Sequence, residues 1–165
     1  MEAKIKFKLE KINLKKLLIC ILIPLIAGGL PPLIVGSDIK IYGTVIQPPL
    51  APPSWLFPLM WTVLYILMGI SLYLVRSSNA DDYSVKSATN VFAVQLFLNF
   101  IWSPVFFKMK LFLAAFFILI AMLVTVIVMT VRFYKISKPA GLLQIPYIIW
   151  LIIAGYLNMG IYLLN

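Results

Sequence analysis

The chain has 165 residues, of which 63% are hydrophobic and 12% charged, against roughly half and a quarter in an ordinary soluble domain. Water is therefore not the solvent for most of it, and the length leaves no room for a large soluble module, so residues 1–165 read as one domain. The formal charge of +9 is concentrated at the start, which favours a membrane surface over nucleic acid as the basic segment's partner.

That basic segment is residues 1–16, with Lys4, Lys6, Lys8, Lys11, Lys15 and Lys16 directly ahead of an apolar run. It reads as a cytoplasmic anchor drawn to anionic lipid headgroups. No nucleic-acid partner is expected, because no folded basic surface remains once the apolar stretches are removed.

A membrane-crossing helix needs about 20 predominantly apolar residues, and five stretches qualify. The first spans Leu17 to Val35. A signal peptide would also begin with lysines and an apolar core, but no small-residue cleavage site follows, so retention as a helix is expected. Next comes a connection, Gly36 to Ser54, carrying Pro48, Pro49, Pro52 and Pro53. These prolines favour extended or turn backbone over helix. Such a stiff loop is either a lid or a plain connector.

The second stretch is Trp55 to Val75, with Trp61, Tyr65 and Met68 on one helical face. The third is Thr89 to Phe107, with Gln95, Asn99, Trp102 and Phe106 at spacings of four, three and four. The fourth, Leu111 to Val131, has only Thr125 and Thr130 as polar residues and reads as mainly structural and lipid-facing. The fifth is Gly141 to Leu164, with Tyr147, Trp150, Ala154 and Asn158 on one face. The predicted fold class is all-α, an integral membrane bundle of five transmembrane helices. In lipid, such mixed aromatic and amide stripes serve either an internal pocket or interhelical hydrogen bonding. Trp55 and Tyr162 fit interfacial belts.

The basic residues alternate between connections. The N-terminal segment, the second connection (Arg76, Lys86) and the fourth (Arg132, Lys135, Lys138) outweigh Lys40, Lys108 and Lys110 on the other side. This predicts a cytoplasmic N-terminus, an external Pro-rich loop and an external C-terminus, in the cell membrane.

The chemistry is bounded by what is missing. There is no His, and Cys20 is the one cysteine, so no disulfide framework, zinc site or His-ligated haem can be built. Glu2, Glu10, Asp38, Asp81 and Asp82 all fall outside the apolar stretches, which argues against ion-coupled transport. No metal site and no required cofactor are expected. A Trp-lined apolar cavity would suit a flat, polarizable ligand such as a tetrapyrrole or a sterol.

Three segments resemble one family. QPPLAPPSWLFPLMWTVLYILMGISLYLV (Gln47 to Val75), QLFLNFIWSPVFF (Gln95 to Phe107) and PYIIWLIIAGYLN (Pro146 to Asn158), with Gly28 and Gly29, are similar to the motifs of the translocator and tryptophan-rich sensory proteins. The resemblance implies a five-helix bundle that binds protoporphyrin-type tetrapyrroles and other small lipophilic ligands, with homodimers common. By matched position it places Tyr42, Trp61, Asn99, Trp102, Phe106, Trp150, Ala154 and Leu157 in the pocket. Tyr65 and Tyr147 join them from the stripes above. It also implies, as an alternative activity, a light-dependent oxidative breakdown of protoporphyrin with Trp61 and Trp150 as its photochemical residues. Passive transport of porphyrin or another lipophile is a further alternative, and a signalling scaffold another. Two departures stand out. The end LNMGIYLLN lacks the basic residue that animal members carry in a proposed sterol motif, and Leu50 stands where members usually carry a Trp.

Overall fold

The computed structural model describes residues 12–165, so Lys4, Lys6, Lys8 and Lys11 of the basic segment lie outside the described residues. Helix α1 runs Leu14–Val35. It starts at Asn13, whose side chain accepts the Lys16 N–H at 3.0 Å and so satisfies one of the four donors that a helix start leaves open. Pro24, Pro31 and Pro32 lie inside it, each removing a backbone donor, which membrane helices tolerate where a neighbour covers the freed carbonyl. Pro24 offers no N–H to the Cys20 carbonyl, and there the next helix brings in Gly69. A Cβ at position 69 would stand 2.8 Å from the Cys20 carbonyl oxygen and press on the Ile21 backbone. The absence of a side chain therefore sets how closely the first two helices approach.

Helix α1 stops at Gly36, whose φ of 60° lies in the left-handed region that glycine enters without steric cost. Gly36–Gly43 then forms a 3-10 helix, which corrects the expectation of extended or turn backbone over 36–54. The prolines that oppose helix all come after this segment, so its residues are free to coil. Helix α2 follows over Leu56–Arg76. Helix α3 covers Asp82–Ser103 and starts well before the expected Thr89. Asp81 accepts the Ser84 N–H at 2.9 Å, and Asp82 in the first turn suits the positive end of the helix dipole. At Pro104 the helix widens into a π turn, Pro104–Lys108, closed by Met109 N–H donating to the Pro104 carbonyl at 2.9 Å.

Helix α4 is Phe112–Ile136, a short α5 is Lys138–Leu142, and α6 is Ile145–Leu164. The fifth apolar stretch is thus two helices, broken at Leu143–Gln144 ahead of Pro146. Five helical stretches are long and apolar enough to cross a membrane, and no strand occurs among the described residues. The protein is an integral membrane bundle of five spans.

The spans close into a ring. Helix α1 packs on α2 and α3, and α4 packs on α3 and α6. Helices α2 and α6 meet through the edges of Phe57 on Trp150 and Trp61 on Tyr147. Helix α4 is more central than its composition suggested. Ala115, Leu119, Met122, Val126, Met129 and Phe133 are all buried, spaced alternately four and three, the seam of a helix packed along its length. In lipid this packing rests on close contact rather than exclusion of water. Only the opposite face of α4, with Phe117, Val124 and Val131, is outward.

One end of the bundle carries Lys15, Lys16, Arg76, Lys86, Arg132, Lys135 and Lys138. There the Asn13 N–H donates to the Tyr73 hydroxyl at 3.1 Å, and the Arg132 guanidinium donates to the Ser87 hydroxyl. The other end carries Lys40, Lys108 and Lys110, with the Lys108 amine donating to the Ile34 carbonyl at 3.4 Å. The basic half of the bundle is filled by apolar side chains. The half under the Pro-rich loop is hollow.

Candidate ligand cavity

The hollow is a cavity of about 650 Å³ walled by α1, α2, α3 and α6 and capped by the 3-10 helix. That volume lies within the range of roughly 300–1,000 Å³ in which small-molecule sites fall. Of the residues predicted to form a pocket, Tyr42, Trp61, Tyr65, Asn99, Trp102, Phe106, Ala154 and Leu157 line it.

Tyr147 and Trp150 do not. Tyr147 is 1% exposed and sits under the cavity floor, where its hydroxyl accepts from the Asn99 amide at 3.2 Å and donates to the Gln95 carbonyl oxygen at 3.1 Å. Trp150 is 4% exposed, set in the seam between α2 and α6 behind Phe57, with ring centroids 5.7 Å apart. The first turn of α2 covers this part of α6. Beyond it, Ala154, Leu157, Asn158 and Ile161 face the cavity.

The sequence reading missed the contribution of α1, whose Leu25, Gly28, Gly29, Pro31 and Pro32 form one wall. It was hidden because that wall has no aromatic or amide stripe. Its readable signal is the glycine pair: the Tyr65 ring lies so close to Gly28 that any Cβ there would collide with it. Phe57 was missed as well, although it precedes Trp61 and Tyr65 by one and two turns and completes their stripe.

The aromatic walls are organised in pairs. Trp61 stacks on Tyr65 with centroids 5.5 Å apart and planes at 24°. Trp102 stacks on Phe106 at 5.2 Å and 25°. At the loop end, Tyr42 meets Phe57 edge-on at 4.7 Å. The neutral polar groups of the lining are largely engaged with one another or with backbone. Tyr65 donates to the Asn99 carbonyl oxygen at 2.7 Å, and the Trp102 indole N–H donates to Asn158 at 3.2 Å. Asn158 donates in turn to the Phe112 carbonyl at 2.7 Å, and Thr62 to the Pro58 carbonyl at 2.8 Å. Buried polar groups in lipid must be satisfied this way. The result is a cavity that presents rings and aliphatic carbon to whatever enters it.

The Pro-rich loop is a fastened roof. Ile46 and Asn165 exchange two hydrogen bonds, of 2.9 and 3.1 Å. Tyr156 donates to the Pro49 carbonyl at 2.8 Å, and Pro48 packs on Gly160, where a Cβ would stand 2.6 Å from the proline Cβ. The Tyr42 hydroxyl donates to the Pro52 carbonyl at 3.1 Å. Leu50 is 96% exposed and off the cavity wall, so the roof contact falls to Tyr42.

These features define a membrane protein with a partly open aromatic cavity between its spans. The TspO/MBR family model matches residues 20–164, and the chain belongs to the TspO/MBR family. It is 40% identical over 154 residues to the tryptophan-rich protein TspO of Archaeoglobus fulgidus, covering 93% of this chain and 99% of that one. It is 39% identical over 124 residues to the tryptophan-rich protein TspO of Chlorobaculum tepidum, covering 75% and 78%. The translocator protein of Homo sapiens is 30% identical over 125 residues, covering 74% and 73%.

Proposed function

We propose that this protein binds protoporphyrin-type tetrapyrroles, and related flat lipophiles, in the cavity between its spans. The observation that carries the reading is the lining itself: stacked aromatic pairs around about 650 Å³, with most of the neutral hydrogen-bonding groups, among them Tyr65, Asn99, Trp102 and Asn158, already committed within the protein. A planar macrocycle gains contact area and ring stacking there, worth about 0.5–1.5 kcal/mol per aromatic pair beyond burial, and needs few hydrogen bonds. Among the described residues no group of three His, Cys, Asp or Glu side chains comes together, and no His, Cys, Asp or Glu lines the cavity. Binding that serves sensing or regulation therefore has more support than a hydrolytic enzyme.

One observation favours a second reading, light-dependent oxidation of the bound porphyrin. Trp61 lies on the cavity wall, stacked on Tyr65, where an oxidisable indole would touch an excited ligand. Titration of the purified protein with metal-free and zinc protoporphyrin, followed by the Soret band and by tryptophan quenching, tests the main reading. Saturable binding of both forms, within about tenfold of each other, is expected from recognition by stacking. The absence of saturable change with either would overturn it.

A further inference from the structure

Among the described residues the cavity has one charged residue on its lining, and we infer that it selects the ligand: Lys40, on the 3-10 helix at the loop end, recognises an anionic group at the edge of an otherwise flat, apolar ligand. This deepens the tetrapyrrole reading and rests on it, since the propionate groups of protoporphyrin-type ligands lie together along one edge of the macrocycle.

Three observations converge on Lys40. It lines the cavity beside Ile39, Tyr42 and Gly43, while Asp38 on the same helix does not. Among the described residues no hydrogen bond or ion pair engages its amine, whereas the Lys108 amine at the same end of the bundle is held by the Ile34 carbonyl. The deep end, around Trp61, Tyr65 and Asn99, is uncharged, and the Tyr65 hydroxyl and Asn99 amide are paired there. A carboxylate placed deep would lose its hydration with no cation to compensate, a cost that keeps charges out of membrane interiors. At the mouth it keeps part of its hydration and gains the Lys40 ammonium, whose flexible stem lets the charge reach the aqueous boundary. The charge distribution therefore orients the ligand: macrocycle inward on the rings, carboxylates outward at the roof.

The test compares protoporphyrin with its dimethyl ester, which keeps the macrocycle and removes the charges, on the unsubstituted protein, Lys40→Gln and Lys40→Arg. Dissociation constants come from tryptophan quenching at low salt. The inference expects Lys40→Gln to weaken the free acid by about twofold to fivefold, the range of a partly exposed ion pair. The ester should be unchanged and Lys40→Arg should keep the acid's affinity. The unchanged ester also reports an intact cavity. If Lys40→Gln weakens acid and ester equally, or neither, the Lys40 inference is overturned while tetrapyrrole binding stands. If neither ligand binds any of the three proteins, the tetrapyrrole reading itself fails and takes this inference with it.

Discussion

At the scale of single residues, the two tryptophans to which the resemblance assigns a photochemical role are not equivalent. Trp61 is on the cavity wall, and Trp150 is behind Phe57. Replacing Trp61 by Phe keeps a ring in place, so affinity for protoporphyrin should stay within roughly tenfold, because a decade corresponds to about 1.4 kcal/mol. Light-dependent loss of the porphyrin absorbance should fall sharply in that variant and far less in Trp150→Phe. Equal rates in both variants and the unsubstituted protein would remove the indole from the photochemistry. The family resemblance put both residues in the pocket, and their stripes agreed, but a stripe of side chains reveals which face of a helix is turned inward and not what covers each turn of it. Tyr147 and Trp150 share a face with Ala154, yet α2 covers the first two and leaves the third open.

At the scale of the helices, three of the five spans were readable down to their inward faces, since Gln95, Asn99 and Trp102 on α3, or Trp61 and Tyr65 on α2, stand out against aliphatic neighbours. Helix α4 was misread for the opposite reason. Its inner and outer faces are both aliphatic, and in lipid composition does not separate them; only the alternation of four and three from Ala115 to Phe133 does. Helix α1 hid its wall in glycine and proline. The α1–α2 contact makes the strongest test of that kind of residue. Gly69→Leu would drive a branched side chain into the Ile21 backbone and the Cys20 carbonyl, and overpacking of this kind costs about 1–3 kcal/mol or more. Thermal unfolding in detergent should show a clear fall in the midpoint. Gly29→Ala, at a position where a Cβ meets nothing within 4 Å, should leave the midpoint near its original value.

At the scale of the molecule, the ring of helices gathers the basic residues of alternate connections at one end, as the chain order demands of five crossings. With the positive-inside tendency, the basic end is expected in the cytoplasm and the Pro-rich roof outside. Cys20 is buried, which leaves little background for thiol labelling in intact cells. An impermeant reagent should modify Ser37→Cys and spare Ser78→Cys; the reverse pattern would invert the orientation. The roof's hydrogen bonds to Asn165 and Tyr156 were beyond the reach of the sequence, because they join positions more than a hundred residues apart that only the closed ring brings together.

The uneven filling of the bundle has a consequence for how occupancy and folding are linked. The basic half holds a buried apolar core, while the roofed half keeps a large hollow, so a bound molecule of the right shape would take the place that core side chains occupy elsewhere. Occupancy then adds to the unfolding free energy by mass action, about 2.7 kcal/mol at a hundred times the dissociation constant. Any flat lipophile that fills the space shares this effect, charged edge or not. Resistance to heat therefore measures how well a molecule fits the hollow, and the lysine at its mouth governs which of the fitting molecules is preferred.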